Sequence, residues 1–389
     1  MTTEPHAVHG MGRELADPDW PPLTSGELAE VLGALLGPGG AGRPAVIWHS
    51  PRPMSAAALV RYGPLTIFVK RHHVSVRDPG QLAAEHALAI HLRSRGVPVP
   101  AILAAPGGPS VLRRGEFCYE AQEAAAGIDL YRDAVSWSPY RSNGQACAAG
   151  AALARLHLAA ADFPLPARPA AVLMNSCQVI TAPDPHAEVA RLVSARPALA
   201  AYLAQRSWPR DFTQVLAPLI RAAAPRLAAL PGQWGHGDWH PSNLTWTSAA
   251  PDAQVAGVLD LGLANRTSAV HDLALALERT VVSWLDLPDT GTARADLASA
   301  AALMDGYASV RPLAPAEAAA LPAVLPVVHL EYALSEVDYF TGVAASPANA
   351  DLAYTYLVGH ARWFGQPEGA ALLAFVAGHL SRQAGASGR

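Results

Sequence analysis

The chain has 389 residues, with 28 Lys and Arg against 32 Asp and Glu and a formal net charge of −4. That length exceeds one ordinary core, so two lobes are expected, and without a basic excess a charge-driven nucleic-acid partner is excluded. Cys118, Cys147 and Cys177 lie far apart with no Cys-x-x-Cys and read as reduced thiols. The polar, acidic stretch 1–19 has no apolar core behind a basic start, and the alanine-rich runs are too short to span a bilayer. The expectation is a cytoplasmic protein with neither signal peptide nor membrane partner, its oligomeric state open.

Thr24-Ser25-Gly26-Glu27 opens a helix running to about Leu36, and Gly37-Pro38-Gly39-Gly40 ends it. That glycine run lacks a following Gly-Lys-Ser/Thr, so it reads as a flexible connector rather than a phosphate loop. Strands are expected at 45–49, 57–62 and 65–70, a helix at 81–95 closed by Gly96, and strands at 110–113 and 116–122. This is a small sheet with one main helix, and it sets a first lobe at 1–122 and a second at 123–389. Lys70 ends an apolar strand, where an unpaired ammonium is costly to bury; snorkelling to the surface is the alternative. Ser50, Arg52 and Ser55 sit in the turn between the first two strands. They suit phosphate contacts, or the turn is merely rigid and bounded by proline.

The stretch 123–127, beginning with Glu123, reads as the connection between lobes. Helices follow at 143–157, 187–203 and 212–230, the last two interrupted by Pro197, Pro218 and Pro225. His157 reads as a packed core histidine. Gly235-His236-Gly237-Asp238-Trp239-His240-Pro241-Ser242-Asn243 forms a loop before a strand at 244–246, and a strand at 255–259 delivers Asp260. Asp238 and Asn243 lie five positions apart, and Asp260 seventeen beyond Asn243. An acid, an amide and a second acid at that spacing suit phosphoryl transfer: one carboxylate aims an acceptor hydroxyl, while amide and carboxylate oxygens hold Mg²⁺. The C-terminal part is helical at 297–307, 315–321, 327–340 and 350–364, with Pro315 at a first helical position.

The motifs His236-Gly237-Asp238-x-His240-x-x-Asn243, Leu259-Asp260-x-Gly262 and His271-Asp272-Leu273-Ala274 resemble the aminoglycoside phosphotransferase and choline kinase-like family. The resemblance implies an α+β, bilobal protein-kinase-like fold, with a small β-sheet lobe and a larger, mostly helical one, that uses ATP and Mg²⁺. It implies that Asp238 is the catalytic residue, that Asn243 and Asp260 hold the metal, and that Asp272 and His236 support the loop. Lys70 then grips the nucleotide phosphates and Glu85 fixes its ammonium, while adenine meets the backbone near Glu123. Only eleven residues separate Asp260 from Asp272, with no Ala-Pro-Glu, so a peptide substrate is excluded.

The acceptor is expected to be a small molecule bearing a hydroxyl. His240, Glu331 and Asp338 are candidates to line its site, the acids on the 327–340 helix otherwise forming a solvated face. A wide cleft framed by long helical inserts favours an antibiotic or similar natural product. The alternatives are a metabolic kinase for choline-, homoserine- or sugar-like acceptors, and a catalytically silent binding protein of kinase fold.

Overall fold

The computed structural model describes residues 7–12, 14–37 and 42–387. The expected connector falls at positions 38–40 outside them. The chain forms two compact units, residues 1–127 with 256–259, and residues 128–255 with 260–389.

In the smaller unit a short hairpin, β1 (Val8–His9) with β2 (Leu15–Ala16), precedes helix α1 (Ser25–Leu36). Thr24 caps α1 and Glu27 returns the bond, so two end N–H groups are satisfied. Five antiparallel strands follow: β3 (Ala45–His49), β4 (Ala56–Tyr62), β5 (Leu65–His73), β6 (Leu112–Arg114) and β7 (Phe117–Glu123). Their order across the sheet is β3-β4-β5-β7-β6. Helix α2 (Pro79–Ser94) lies between β5 and β6 in sequence, capped by Asp78. The strand period puts Ala58, Val60, Ile67 and Val69 on one face, where they form a core with Leu28, Val31, Leu32 and Leu35 of α1.

Lys70 does not end its strand. β5 continues through Arg71, His72 and His73, all paired in register with β7. The extension is possible because each polar residue finds a partner. Arg71 donates to Glu27 at 2.7 Å, His72 meets Glu120 at 3.0 Å, and His73 stacks on Trp20 with ring centroids 4.9 Å apart.

The larger unit is mostly helical: α3 (Asn143–Ala160), α4 (Gln178–Thr181), α5 (Pro185–Ser194), α6 (Pro197–Leu203), α7 (Trp208–Asp211) and α8 (Ala217–Ala228) come first. The helix expected at 187–203 is two, because Pro197 starts a new one. Short strands β8 (Gln233–Gly235), β9 (Leu244–Trp246) and β11 (Asn265–Thr267) of this unit carry motif segments, as does β10 (Val255–Val258), most of which is counted with the smaller unit. After them come α9 (Ala269–Val281), α10 (Leu287–Thr290), α11 (Leu297–Val310), α12 (Pro315–Val324), α13 (Leu330–Gly342), α14 (Pro347–Trp363) and α15 (Pro367–Ser387). Among the described residues no helix is long and apolar enough to cross a membrane. Together the small antiparallel sheet and the larger helical part make the kinase-like, α+β fold that the motifs implied.

Helices α3 and α11 approach so closely that a Cβ at Gly150 would collide with the Leu303 carbonyl, and one at Gly306 with the Cys147 carbonyl. Neither obstacle is a side chain that can swing away. Gly306→Val is therefore expected to destabilise the protein by about 1–3 kcal/mol or more. A thermal melt unchanged from the parent would show that the two helices separate freely.

Candidate active site

Strands β8 and β11 pair antiparallel, Gly235 opposite Asn265 and Gln233 opposite Thr267. Ser268 then caps α9, and the buried Asp272 stands in its first turn. From there the Asp272 carboxylate accepts from the backbone N–H of His236 and of Gly237, each at 2.7 Å. His157, fully buried on α3, adds its Nε2 at 2.9 Å and anchors its other nitrogen to Tyr307 Oη at 2.7 Å. Burial pushes the Asp272 carboxyl up, but the His157 bond and charge outweigh it and hold it at about 2. One buried carboxylate thus fixes the backbone at the start of the 236–243 loop.

The turn itself requires glycine. Gly237 has φ +76°, and a Cβ there would strike the Leu263 carbonyl. His236 Nδ1 then accepts from the Asp238 N–H at 3.1 Å, the loop-shaping contact expected of it. The Asn243 amide donates to the Asp238 carbonyl at 2.9 Å and to Asp238 Oδ2 at 3.0 Å. His240 lies beside both, 3.1 Å from Asn243 Nδ2 and 3.4 Å from Asp238 Oδ1. Asp260 takes a left-handed conformation at φ 54°, its exposed carboxylate accepting from the Gly262 N–H at 3.2 Å.

A residue absent from the sequence reading dominates the electrostatics. Arg279, on α9 and fully buried, forms an ion pair with Asp238 Oδ1 and donates to the Gly237 carbonyl at 3.1 Å. Its guanidinium lies 4.8 Å from the Tyr332 ring centroid and 5.3 Å from that of Trp137. Burial pushes the Asp238 carboxyl up, yet the charges of Arg279 and His240 hold it well below the usual carboxylate range. Asn175 also donates to the Gly237 carbonyl, and Asn265 Nδ2 holds the Asn175 carbonyl at 2.9 Å. One sequence signal points to Arg279. Every residue of α9 is buried, as the apolar run 273–277 suggests for a helix covered on all sides, so a charge one turn later needs an interior partner.

The acids of α13 are buried and engaged by protein partners rather than forming a solvated face. Glu331 accepts from the backbone N–H of Gln178, Val179 and Ile180 at 3.0, 2.8 and 3.1 Å, which caps α4. Asp338 lies 3.4 Å from Arg196, and Glu336 accepts from Tyr332 Oη at 3.1 Å. Burial raises the Glu336 carboxyl to about 7 from an ordinary 4.5. A raised acid contributes stability fully below its unfolded pKa and loses it as pH rises through the folded one. Glu336→Gln keeps the neutral shape, so its melting temperature should match the parent near about pH 4 and exceed it above about pH 7. Parallel curves over that range would show Glu336 to be ionised in the native state.

The nucleotide candidates of the smaller unit occupy distinct positions. Lys70 stands opposite Ala57 on β4 and Glu120 on β7. Strand alternation puts it with His72 on the face that α2 covers, since His86 of α2 reaches Glu120 at 2.8 Å. Glu85 is buried on α2 and receives Arg77 Nε at 2.9 Å. Ser50 Oγ accepts from the Arg52 N–H at 3.3 Å, and Arg52 Nη1 lies 3.0 Å from His9 Nδ1, which ties the β3–β4 turn to the N-terminal hairpin. Ser55 is half-buried in the same turn, and Glu123 ends β7 with an exposed carboxylate 3.6 Å from Arg93.

The chain is 31% identical over 232 residues to a homoserine kinase of Methylocella silvestris, covering 56% of this chain and 61% of that protein. It is 28% identical over 289 residues to a homoserine kinase of Rhodopseudomonas palustris, covering 70% and 71%. The chain spans 50–61% of the length of the first three curated relatives it matches. Its fold is similar to that of an amicoumacin kinase in complex with AMP-PNP, Ca²⁺ and Ami (TM-score 0.57, 13% identity, covering 87% of this chain and 94% of that one). It is also similar to a microcompartment-associated aminopropanol kinase (TM-score 0.54, 18% identity, 88% and 98%). A family model matches residues 56–313, from β4 past the loop, Asp260 and Asp272, and with that match the chain belongs to the phosphotransferase enzyme family.

Proposed function

We propose that the protein transfers the γ-phosphoryl group of ATP to a hydroxyl of a small molecule. The observation that carries this reading is the fixed loop, in which Asp238 receives Asn243 at 3.0 Å while Asp272 pins the backbone of the two residues before it. Asp238 orients the acceptor hydroxyl and takes its proton late, as a loose transition state allows. Asn243 and Asp260 fit Mg²⁺: Asn243 directs its amide hydrogens to the loop, which leaves its carbonyl oxygen for a hard cation, and the Asp260 carboxylate is exposed. When bound with the nucleotide, that ion neutralises charge on the phosphate oxygens. In this reading Lys70 serves the phosphates and Glu85, which receives Arg77 at 2.9 Å, steadies that side of the site, the turn with Ser50, Arg52 and Ser55 adds contacts, and adenine takes the backbone at Glu123.

The acceptor class is inferred from the sequence relatives, which are homoserine kinases and favour a hydroxylated amino acid. An antibiotic acceptor loses its charge argument, since Glu331 and Asp338 are engaged internally. Incubation with Mg²⁺–ATP and a panel of homoserine, amino alcohols, sugars and aminoglycosides tests the choice by mass spectrometry. Phosphorylation of homoserine is expected. Turnover confined to an antibiotic would reverse the acceptor class and leave phosphoryl transfer intact.

A further inference from the structure

Behind the Arg279–Asp238 pair, three side chains from three segments converge. Glu278 on α9, His329 just before α13 and His360 on α14 each offer a donor atom within 4.8 Å of the others, and all three are buried. Glu278 Oε1 takes a hydrogen bond from His360 Nδ1 at 2.6 Å and lies 3.9 Å from His329 Nδ1. That leaves Glu278 Oε2, both nitrogens of His329 and Nε2 of His360 buried with no hydrogen-bond partner. Buried polar atoms of native proteins are almost always satisfied, and four orphans at one point need a cause. Trp284 holds two of the three, stacking on His360 at 3.7 Å and donating from Nε1 to the Glu278 carbonyl at 2.7 Å, while His329 only stacks on His360 at 4.3 Å.

We propose that Glu278, His329 and His360 bind a zinc ion that ties α9 to α13 and α14. Two imidazoles and one carboxylate form a zinc donor set, with a fourth position open to an exchangeable ligand. Zinc bonds of about 2.0–2.2 Å put tetrahedral donors roughly 3.4 Å apart, and the cluster closes around the ion when His329 rotates out of its stack so that a nitrogen of each ring faces one point. The proton shared by Glu278 and His360 leaves to solvent as the metal enters. The nearby charge of Arg279 is no obstacle, because Asp238 already neutralises it. Since Glu278 and Arg279 are consecutive, the ion fixes the part of α9 that positions the Asp238 carboxylate.

The site is tested by metal analysis of the full chain, purified without a metal-affinity column. One zinc per chain, retained through dialysis against EDTA, is expected, together with its loss in Glu278→Gln and in His329→Gln. Cobalt substitution gives an independent reading: the parent should show the strong visible absorption of tetrahedral cobalt, and Asp260→Ala should keep it. The weakly absorbing octahedral cobalt of an oxygen site would not do so. A parent protein that holds no zinc and gives no tetrahedral cobalt signal overturns the proposal, as does full zinc in both folded variants. The parent spectrum decides alone if neither variant folds.

Discussion

Asp238→Ala is expected to lower the turnover of phosphoryl transfer by about 10²–10⁴-fold, the usual contribution of a positioned base. Binding of Mg²⁺–ATP should change little, because the carboxylate acts on the acceptor rather than the nucleotide. The substitution also leaves Arg279 buried without its counter-charge, so Asp238→Asn, which keeps the shape and a hydrogen-bond acceptor, is the companion variant. Steady-state ADP release per folded chain, with calorimetry for the nucleotide, measures both effects. Turnover within about tenfold of the parent in both variants would remove Asp238 from the chemistry.

Arg279→Met should cost stability as well as activity. Breaking a buried ion pair by removing one partner typically costs about 3–5 kcal/mol, and the lower end applies because Asp238 is 17% exposed and can recruit water. The stacking over Tyr332 and Trp137 is lost too. The pH dependence has a definite sign. Asp238 is depressed in the folded state, so its pairing stabilises fully above the unfolded carboxyl pKa, about 4, and is lost as pH falls through the lower folded value. The stability gap between parent and variant should therefore be full at neutral pH and shrink below about pH 4. The acid limb of the variant's rate profile should also move to higher pH, because the charge that holds the Asp238 carboxyl down is gone. Denaturant titrations that give the same stability for both proteins at neutral pH would show that the pair contributes nothing.

Much of the fold was legible because its signals are local. Thr24 with Glu27 and Pro315 at a first helical position mark helix starts within four residues, and each helix begins there, whereas α2, expected from 81, begins at Pro79 because Asp78 caps it. The pairing of Asp238 with Asn243 in the 236–243 loop is local for the same reason, since the two are five positions apart and bond to each other directly. Asp272 was recognised through its motif, and the structure gives it two backbone N–H groups of the loop to hold. What escaped notice depends on partners distant in sequence. Arg279 meets Asp238 from 41 residues away, and Glu331 caps α4 from about 150 residues away. β5 ran three residues past Lys70 because Glu27, Glu120 and Trp20 make its polar end acceptable. The acids of α13 looked like a surface face because local pattern alone does not reveal that Leu330 through Phe340 are all buried.

Phosphoryl transfer at Asp238 and Asp260 is tested most directly by phosphoryl balance when the purified protein is incubated with ATP, Mg²⁺ and the panel of hydroxylated acceptors. ADP should accumulate in step with an acceptor heavier by one phosphoryl group, and both should disappear in Asp238→Asn and Asp260→Ala. ATP binding with no phosphorylated acceptor from any member of the panel, or transfer that survives both substitutions, would contradict it.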